Sequence, residues 1–494
     1  MKKSAKYLAL AEAILLLSFS YLSCSDADEQ ETTGPDTLPA FETAAEVEEE
    51  TFDPRLIPDV EIIKQNDMVF RIYGNPPNEG GHWSVHDMVT DDLDGTVLND
   101  SIYERNRFLE ETYGFSIDVT TASSMQQEIA SLVSSGDNTY QVYGSNARTG
   151  VASAQVGYYR NLQSLENMDL TRSHWDHSLI DPLTVENRAF LATGDITVVP
   201  KEGVRVFYFN KDLIEDLHLE SPYDLVLNGT WTLDKMFEMM QNGASDLNGD
   251  GIIDDNDRYA FQGSGDFPIL FYLGANEEFI GKDENDSMIL MAENERSVNV
   301  MMHVAELLDK NKDIILRTWD WQGMLRRFDS QNALFYTDAA VHIETMRSYE
   351  VNFGILPTPK YDAAQDTYIN YIDYFCNIFY AIPVCAPDPE NTAYILEVIS
   401  AASKQYITPA YYDVCLKSKY ARDEESSRML DIIFDTYRLE LSNVYNLPIS
   451  GNATELMGNG KTDFSSLFAS QKRALLRQLD KISESYRSNE AFGD

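Results

Sequence analysis

Apolar and polar residues follow two different periods along the chain after residue 60, and this pattern predicts an α/β protein. Segments 67–73, 115–119 and 140–143 are rich in β-branched and aromatic residues, as strands are. Segments 101–112 and 125–135 lie between them and have the spacing of apolar residues expected of helices. Such a strand–helix–strand rhythm favours a parallel sheet covered by helices.

The alternation continues through the second half of the chain. Residues 204–209 form a further apolar strand, and Asn210 is well placed to cap the helix that follows. Thr232 is the predicted N-cap of a helix over 233–241, with Trp231 buried behind it. Later strands are predicted at 339–343, 352–356 and 379–383, and mostly helix from residue 391 onward.

The first residues have the pattern of an export signal. Three lysines precede an apolar run at 7–22, which is too short for a comfortable membrane span and ends beside Ser23 and Cys24. The small residue before Cys24 resembles the lipobox of bacterial lipoproteins, although Tyr21 and Glu12 depart from that pattern. We therefore expect a signal peptide over 1–23 and acylation of Cys24. Ordinary cleavage near Ser23, with a free thiol, is the alternative.

Residues 24–57 are predicted to be a disordered acidic tether. No lysine or arginine occurs from residue 25 to residue 54, and three glutamates stand together at 48–50. Such a segment cannot bury enough apolar surface to order itself, and its like charges extend it. Signal, Cys24 and tether together predict a protein held at the outer face of a cell membrane by its acyl group alone.

Charge and cysteine content narrow the class further. The formal net charge of −43 argues against nucleic acid as a partner, since phosphates would be repelled. The three cysteines after Cys24 are Cys376, Cys385 and Cys415, which make no paired framework and have no metal-ligand spacing. Free, buried thiols are expected, and a Cys376–Cys385 bond is left open. The sequence has no P-loop, no dinucleotide-binding glycine motif and no nucleophile elbow.

Residues 246–257 have the spacing of an EF-hand calcium loop. Oxygen-bearing residues occupy the ligand positions, and Gly251 supplies the sharp turn at position 6. The expected ligands are Asp246, Asn248, Asp250, the backbone carbonyl of Ile252, Asp254 and Asp257. Asp257 replaces the longer glutamate of the usual loop, which lowers the expected affinity. One structural calcium ion is predicted, and the alternative is a plain acidic turn.

Five short motifs stand in order along the chain, at 209–214, 228–232, 248–251, 354–360 and 381–383. Together they resemble those of family 1 extracellular solute-binding proteins, the substrate-capturing lipoproteins of bacterial ABC importers. The resemblance is closest to long, tyrosine-rich lipoproteins of Gram-positive anaerobes, which are usually assigned to carbohydrates. It implies a carbohydrate ligand, permease subunits of an ABC importer as partners, a monomer and no catalysis.

The resemblance also implies a two-lobed type II periplasmic-binding-protein fold, with hinge strands between the lobes. On this basis lobe 1 is expected over 58–198 and 338–378. Lobe 2 is expected over 205–332 and 384–490, including the calcium loop at 246–257. Ligand would lie in the cleft between them.

Sugar hydroxyls require planar polar partners, and the C–H faces of sugar rings require aromatic plates. Ligands of open α/β sheets bind beyond the carboxyl ends of the strands, so ligand-binding residues are expected just after the predicted strands. The candidate ligand-binding residues are Asn75, Trp83, Asn146, Arg148, Asp195, Trp319, Trp321, Glu344 and Tyr374. Each also has a plain reading as a core, cap or turn residue.

Two other classes of function remain as alternatives. A secreted glycan hydrolase would suit the aromatic residues and carboxylates, but no acidic pair stands in a recognisable catalytic setting. A surface adhesin or sensor would bind glycan without any importer.

Overall fold

The structure is a computed structural model, and it describes residues 60–77, 82–412 and 423–489. The predicted signal peptide, Cys24, the tether and Cys415 lie outside the described residues. No helix in the described part of the chain is both long enough and apolar enough to cross a membrane.

The strands and helices alternate along most of the chain. The strands are β1 (Met68–Gly74), β2 (Phe115–Thr121), β3 (Val142–Ser145), β4 (Arg205–Asn210), β5 (Tyr259–Ser264), β6 (Ile280–Lys282), β7 (Met288–Leu290), β8 (Ile315–Thr318), β9 (Ala333–Ala339), β10 (Phe353–Leu356), β11 (Asn370–Ile372), β12 (Phe379–Ala381) and β13 (Tyr437–Leu439).

The helices up to the middle of the chain are α1 (Val97–Tyr113), α2 (Met125–Ser135), α3 (Ala147–Gln155), α4 (His177–Leu183), α5 (Val199–Gly203), α6 (Lys211–Asp216), α7 (Pro222–Leu227), α8 (Leu233–Met240) and α9 (Pro268–Gly274). The later helices are α10 (Glu295–Asn311), α11 (Trp321–Asp329), α12 (His342–Met346), α13 (Pro389–Pro409), α14 (Glu424–Phe434), α15 (Leu441–Val444), α16 (Pro448–Gly458) and α17 (Phe464–Ser488).

The first sheet has the strand order β12-β3-β1-β2. Its central strand β1 is parallel to both β2 and β3, which confirms the parallel arrangement expected from the strand–helix–strand rhythm. Gly114 ends α1 with φ +73° and turns the chain directly into β2, a conformation that favours glycine. Strand β12 joins the edge in the antiparallel direction, from a distant part of the chain.

The second sheet has the order β10-β4-β9-β5-β8. Strand β5 is parallel to β8 and β9, whereas β4 is antiparallel to β9. Trp231 is fully buried and its indole N–H donates to the carbonyl of Pro357 at 3.0 Å, so its predicted core role is confirmed. The predicted caps are confirmed too, since Asn210 accepts from the N–H of Leu213 and Thr232 from that of Lys235.

The strand predicted at 339–343 is wrong. Strand β9 ends at Ala339, opposite Arg205, and the following residues form helix α12. Ile343 and Met346 are both buried, and their spacing of three residues fits one face of a helix better than one face of a strand.

Two segments contact elements that were expected in the other lobe. Strand β10, expected in lobe 1, pairs with β4 in the second sheet, with Phe353 opposite Asn210. Helix α13, expected in lobe 2, packs against α1, and its Ile395 shares a buried cluster with Phe70 of β1. Long-range pairing and burial decide these placements, and neither leaves a local signal in the sequence. The lobe limits as a whole remain a prediction.

Candidate functional site

Charged and aromatic residues collect at one edge of the second sheet. The parallel strands β5, β8 and β9 all end there, and the antiparallel strand β4 begins there. The register therefore brings Arg205 of β4 to the same edge as Asp266 and Trp319, which follow β5 and β8. Asp338 lies at this edge too, one residue before the end of β9.

Arg205 lies at the centre of this edge and is buried. Its guanidinium is 3.1 Å from the carboxylate of Asp373 and 4.0 Å from those of Asp266 and Asp338. Its Nη2 also donates to the hydroxyl of Ser264 at 2.5 Å. Burial alone lowers the pKa of Arg205, but the three carboxylates raise it above the ordinary value, so the guanidinium stays charged.

The carboxylates around Arg205 differ in their environment. Burial raises the pKa of Asp373 to about 7, against the opposing effect of Arg205. Burial also disfavours ionisation of Asp338, but His342 and Arg205 hold the pKa of this carboxyl below its ordinary value. The edge therefore holds three carboxylates around one guanidinium, and Asp373 is the one that takes up a proton most readily.

Polar residues follow the strands of the first sheet at its own carboxyl edge. After β1, the Asn75 side-chain amide donates to the carbonyl of Trp83 at 3.0 Å and so holds the 82–88 loop. After β3, Asn146 caps α3 by accepting from the N–H of Thr149 at 3.0 Å. The side-chain oxygen of Asn146 is therefore already used in capping α3.

One segment, residues 373–377, contacts the carboxyl edges of both sheets, and we call it the bridging segment. Asp373 binds Arg205 at the second sheet. Asn377 accepts from the N–H of Ala147 at 2.8 Å, directly after β3 of the first sheet. The guanidinium of Arg148 lies 3.5 Å from the ring centroid of Tyr374, also on the side of the first sheet. The space beside this segment is where one ligand would meet both sheets.

Exposed aromatic rings lie at the edge of the second sheet. The side chain of Trp319 is 71% exposed, and its indole covers Gly265 so closely that a Cβ at that position would collide with it. Trp321 is 45% exposed and stacks on His342, with ring centroids 5.8 Å apart and planes 22° apart. Phe375 of the bridging segment is also exposed. Large rings left open to water in this way favour contact with a ligand.

A second group of charges lies beside the 82–88 loop. His86 is half-buried and Glu202 is buried, with Nε2 of His86 3.4 Å from the carboxylate of Glu202. Burial alone lowers the pKa of His86, but Glu202 raises it to about 10, so the pair is ionic at neutral pH. Both residues line a cavity of about 360 Å³ that also includes Glu344 and Arg347.

Most of the predicted site residues lie at one of the two sheet edges, and Asp195 does not. Arg148 and Tyr374 touch each other, and Asn75 holds Trp83. Trp319 and Trp321 lie together at the second sheet, and Glu344 lies on the exposed face of α12 rather than at the end of a strand. Asp195 is engaged elsewhere, because its carboxylate accepts from the hydroxyl of Thr408 at 2.7 Å near the end of α13.

Sequence reasoning missed Arg205, Asp266, Asp338 and His342. Asp266 lies two residues after the end of β5. Ligand-binding residues of open α/β sheets are expected at such positions, so the sequence did offer a signal for Asp266. Arg205 begins an apolar strand, and nothing in the local sequence marks it as a site residue. It reaches this edge only because β4 runs antiparallel to β9.

The 246–257 loop folds around its own acidic side chains. The carboxylates of Asp246, Asp250 and Asp257 each offer an oxygen within 4.8 Å of the others. Asp246 accepts from the N–H groups of Gly249 and Gly251, which have φ of +80° and +85°. Asn248 and Asp254 accept from N–H groups two residues ahead, while Ile252 is exposed. Clustered carboxylate oxygens suit a hard divalent ion.

The cysteines follow the expectation where the structure describes them. Cys376 is buried and free, and Cys385 is half-buried and free. The possible bond between them is therefore not formed.

No family model matches the chain, and none of the curated proteins compared with it does. Solved structures do match it. A cyclic α-maltosyl-1,6-maltose binding protein from Arthrobacter globiformis has a TM-score of 0.54 and 11% identity, covering 86% of this chain and 99% of that one. A sugar transporter from Rhizobium etli, in an open conformation, has a TM-score of 0.52 and 11% identity, covering 85% and 99%.

An ABC substrate-binding protein from Listeria monocytogenes, in complex with cycloalternan, has a TM-score of 0.50 and 10% identity, covering 85% of this chain and 98% of that one. The match to carbohydrate-binding proteins of this class thus extends over most of the chain. The two mixed sheets form a fold of the periplasmic-binding-protein type, and the fold expected from the sequence is confirmed.

Proposed function

We propose that the protein captures an oligosaccharide at the bridging segment and delivers it to an ABC importer without altering it. The observation that carries this proposal is the bridging segment itself, which contacts the carboxyl edges of both sheets next to the exposed rings of Trp319 and Trp321. Similar structures that bind carbohydrates support it.

Two sets of residues would contact the ligand from opposite sides. Trp319 and Trp321 would stack on the apolar faces of sugar rings. Asn75, Trp83, Arg148 and Tyr374 would meet the same ligand from the side of the first sheet. A ligand that contacts both sheets has higher affinity for a closed arrangement, and that difference in affinity is sufficient to drive closure.

The test is a glycan panel read by intrinsic fluorescence and calorimetry. We expect at least one oligosaccharide to bind at sub-millimolar concentration, change the tryptophan emission and be recovered intact. A full panel without a binder at that concentration would contradict the proposal. Release of reducing ends from a polysaccharide would favour a glycan hydrolase instead.

We also propose that the protein is tethered outside the cell through Cys24, since the export signal and the acidic tether flank this residue. An acyl anchor would raise the effective concentration of the binding protein at its permease. Replacement Cys24→Ser should release the protein into the medium, whereas the control Cys385→Ser should leave it on the membrane. Retention of Cys24→Ser on the membrane argues against the anchor.

Genes for two permease subunits beside this one would favour import over an adhesin or sensor.

We propose, finally, that the 246–257 loop holds one structural calcium ion. Asp246, Asp250 and Asp257 would be its carboxylate ligands, with Asn248, Asp254 and the carbonyl of Ile252 completing the set. The ion would neutralise carboxylates that otherwise repel one another, and thereby stabilise the start of β5.

A further inference from the structure

The edge of the second sheet has more carboxylates than cations. Arg205 is the one guanidinium within 4.0 Å of Asp266, Asp338 and Asp373 in the described part of the chain. His342 lies 3.7 Å from Asp338 and can offset part of the excess. A ligand that enters here meets a negative potential.

Asp266 is the carboxylate that a ligand would reach. Its side chain is 37% exposed, against 11% for Asp338 and 4% for Asp373. Its Oδ1 accepts from the hydroxyl of Ser264 at 2.5 Å, and no described residue donates a hydrogen bond to its Oδ2. Nη1 and Nη2 of Arg205 donate to Asp373 and Ser264, so Arg205 lies 4.0 Å from Asp266 without a direct hydrogen bond to it.

The ring beside Asp266 suits a positive charge. Trp319 covers Gly265, the residue next to Asp266, and leaves most of its indole in solvent. Indole is the aromatic group that attracts cations most strongly. An open indole over the residue next to Asp266 is thus a second, separate feature that favours a cation at this edge.

The other cations nearby are already engaged. Arg317 donates to the carbonyl of Gly265 at 2.5 Å and to Glu455 at 2.8 Å. Arg148 directs its donors to the carbonyl of Asn443. Neither is free to neutralise Asp266, and the ligand is left to supply the positive charge.

We propose that the site selects an oligosaccharide that carries a free amino group, with the ammonium held between Asp266 and the face of Trp319. This inference rests on the proposed function and names its substrate class. Sugars with carboxylate or phosphate groups would face Asp266 with like charge and bind weakly.

The experiment compares oligosaccharides that share one backbone and differ only in charge: a free amine, its N-acetylated form, and a uronic acid form. We expect the free-amine form to bind at least about tenfold more tightly than the acetylated form at low salt. This advantage should shrink as ionic strength rises, because an exposed ion pair is screened.

Replacement Asp266→Asn should remove most of the preference for the amine over the acetylated form. The matched control is Asp216→Asn, an exposed aspartate at the end of α6, which removes the same charge away from this edge. The control should keep the preference.

The outcomes separate this inference from the proposed function. Neutral forms that bind as tightly as amine forms, with no effect of Asp266→Asn, would overturn the inference and leave sugar capture standing. Preferential binding of the uronic acid form would overturn it as well. Failure of every form to bind would remove the proposed function together with the inference.

Discussion

At the scale of single residues, exposure separates side chains that hold the fold from side chains available to a ligand. Trp231 and Trp319 are the same residue type with opposite environments. Trp231 is fully buried and donates to Pro357, whereas Trp319 is 71% exposed. Burial of a large ring stabilises the native state, while an exposed ring contributes little until something covers it.

We therefore expect Trp319→Ala to lower affinity for the bound glycan by about three- to tenfold, with little change in stability. Calorimetry gives the affinity and thermal melting gives the stability. The matched control is Trp231→Phe, which should lower the melting temperature and leave the affinity of the folded fraction unchanged. A loss of stability in Trp319→Ala, without a loss of affinity, would contradict the assigned role.

The His86–Glu202 pair provides a prediction about charge. Glu202 raises the pKa of His86 to about 10 against the effect of burial. Replacement Glu202→Gln leaves burial as the largest influence, so the pKa of His86 should fall to its ordinary value of 6.5 or below. NMR titration of the imidazole measures it. Glu344→Gln, at an exposed position, should leave His86 charged at pH 8; a Glu202→Gln protein with His86 still charged there would refute the pairing.

At the scale of elements, short helices and loops position the site. Helix α15 begins at a cap, where Glu440 accepts from the N–H of Asn443 at 2.9 Å. The carbonyl of Asn443 in turn accepts from Arg148 at 3.0 Å. Arg148 is thus held over Tyr374 through a capped helix from a distant part of the chain.

Glu440 is buried, which raises its pKa to about 7 from an ordinary value of 4.5. The folded state binds this proton more tightly than the unfolded state, so the resulting stability is present below pH 4.5 and lost as pH rises through 7. The free energy of unfolding of the parent protein should therefore fall between pH 5 and pH 8. In Glu440→Gln this fall should be smaller by about 2 kcal/mol.

Urea denaturation at both pH values measures this effect. Glu484→Gln, an exposed glutamate on α17, should show the same pH dependence as the parent protein. If Glu440→Gln had the same pH dependence as the parent protein, the pKa of Glu440 would have to be the same in the folded and unfolded states, which would contradict this prediction.

The 246–257 loop provides a prediction about metal. If calcium binds the native state alone, at a concentration 100 times its dissociation constant, it should stabilise the fold by about 2.7 kcal/mol. Chelation should then lower the melting temperature. A variant with Asp246→Asn and Asp250→Asn should melt alike with and without chelator, while Asp283→Asn, in another acidic turn, should respond as the parent does. An unchanged midpoint of the parent in chelator would reduce the loop to a plain acidic turn.

At the scale of the whole molecule, the long connections between the sheets determine where the site lies. Strand β12 completes the first sheet from residue 379, and the bridging segment immediately precedes it. A segment that must connect to one sheet and contact the other brings Asp373 and Asn377 to both edges. The same few residues therefore contact the carboxyl edges of both sheets.

Closure of this arrangement should be visible in solution. We expect a bound oligosaccharide to reduce the radius of gyration measured by small-angle scattering, because contact with both sheets favours the closed form. The same sugar added to Trp319→Ala at an equal total concentration should produce a smaller reduction. A radius that stays constant at saturation would indicate a rigid site.

Local chemistry in the sequence was sufficient to predict much of the fold. The caps at Asn210 and Thr232, the buried Trp231 and the parallel β1–β2–β3 unit follow from neighbouring residues and their periodicity. Of the predicted site residues, Trp319, Trp321, Arg148 and Tyr374 lie at the sheet edges, whereas Asp195 is held by Thr408, and their part in binding stays a prediction.

What the sequence determined by itself are the features that depend on residues close together in the chain: element type, caps, the acidic loop and the alternation of strands and helices. The tertiary structure alone decided that β10 pairs with β4, that α13 packs against α1, and that Arg205 meets Asp338 and Asp373. These depend on pairing between segments more than a hundred residues apart. The free energy of such contacts comes from burial and strand register in the assembled molecule, which no local pattern records.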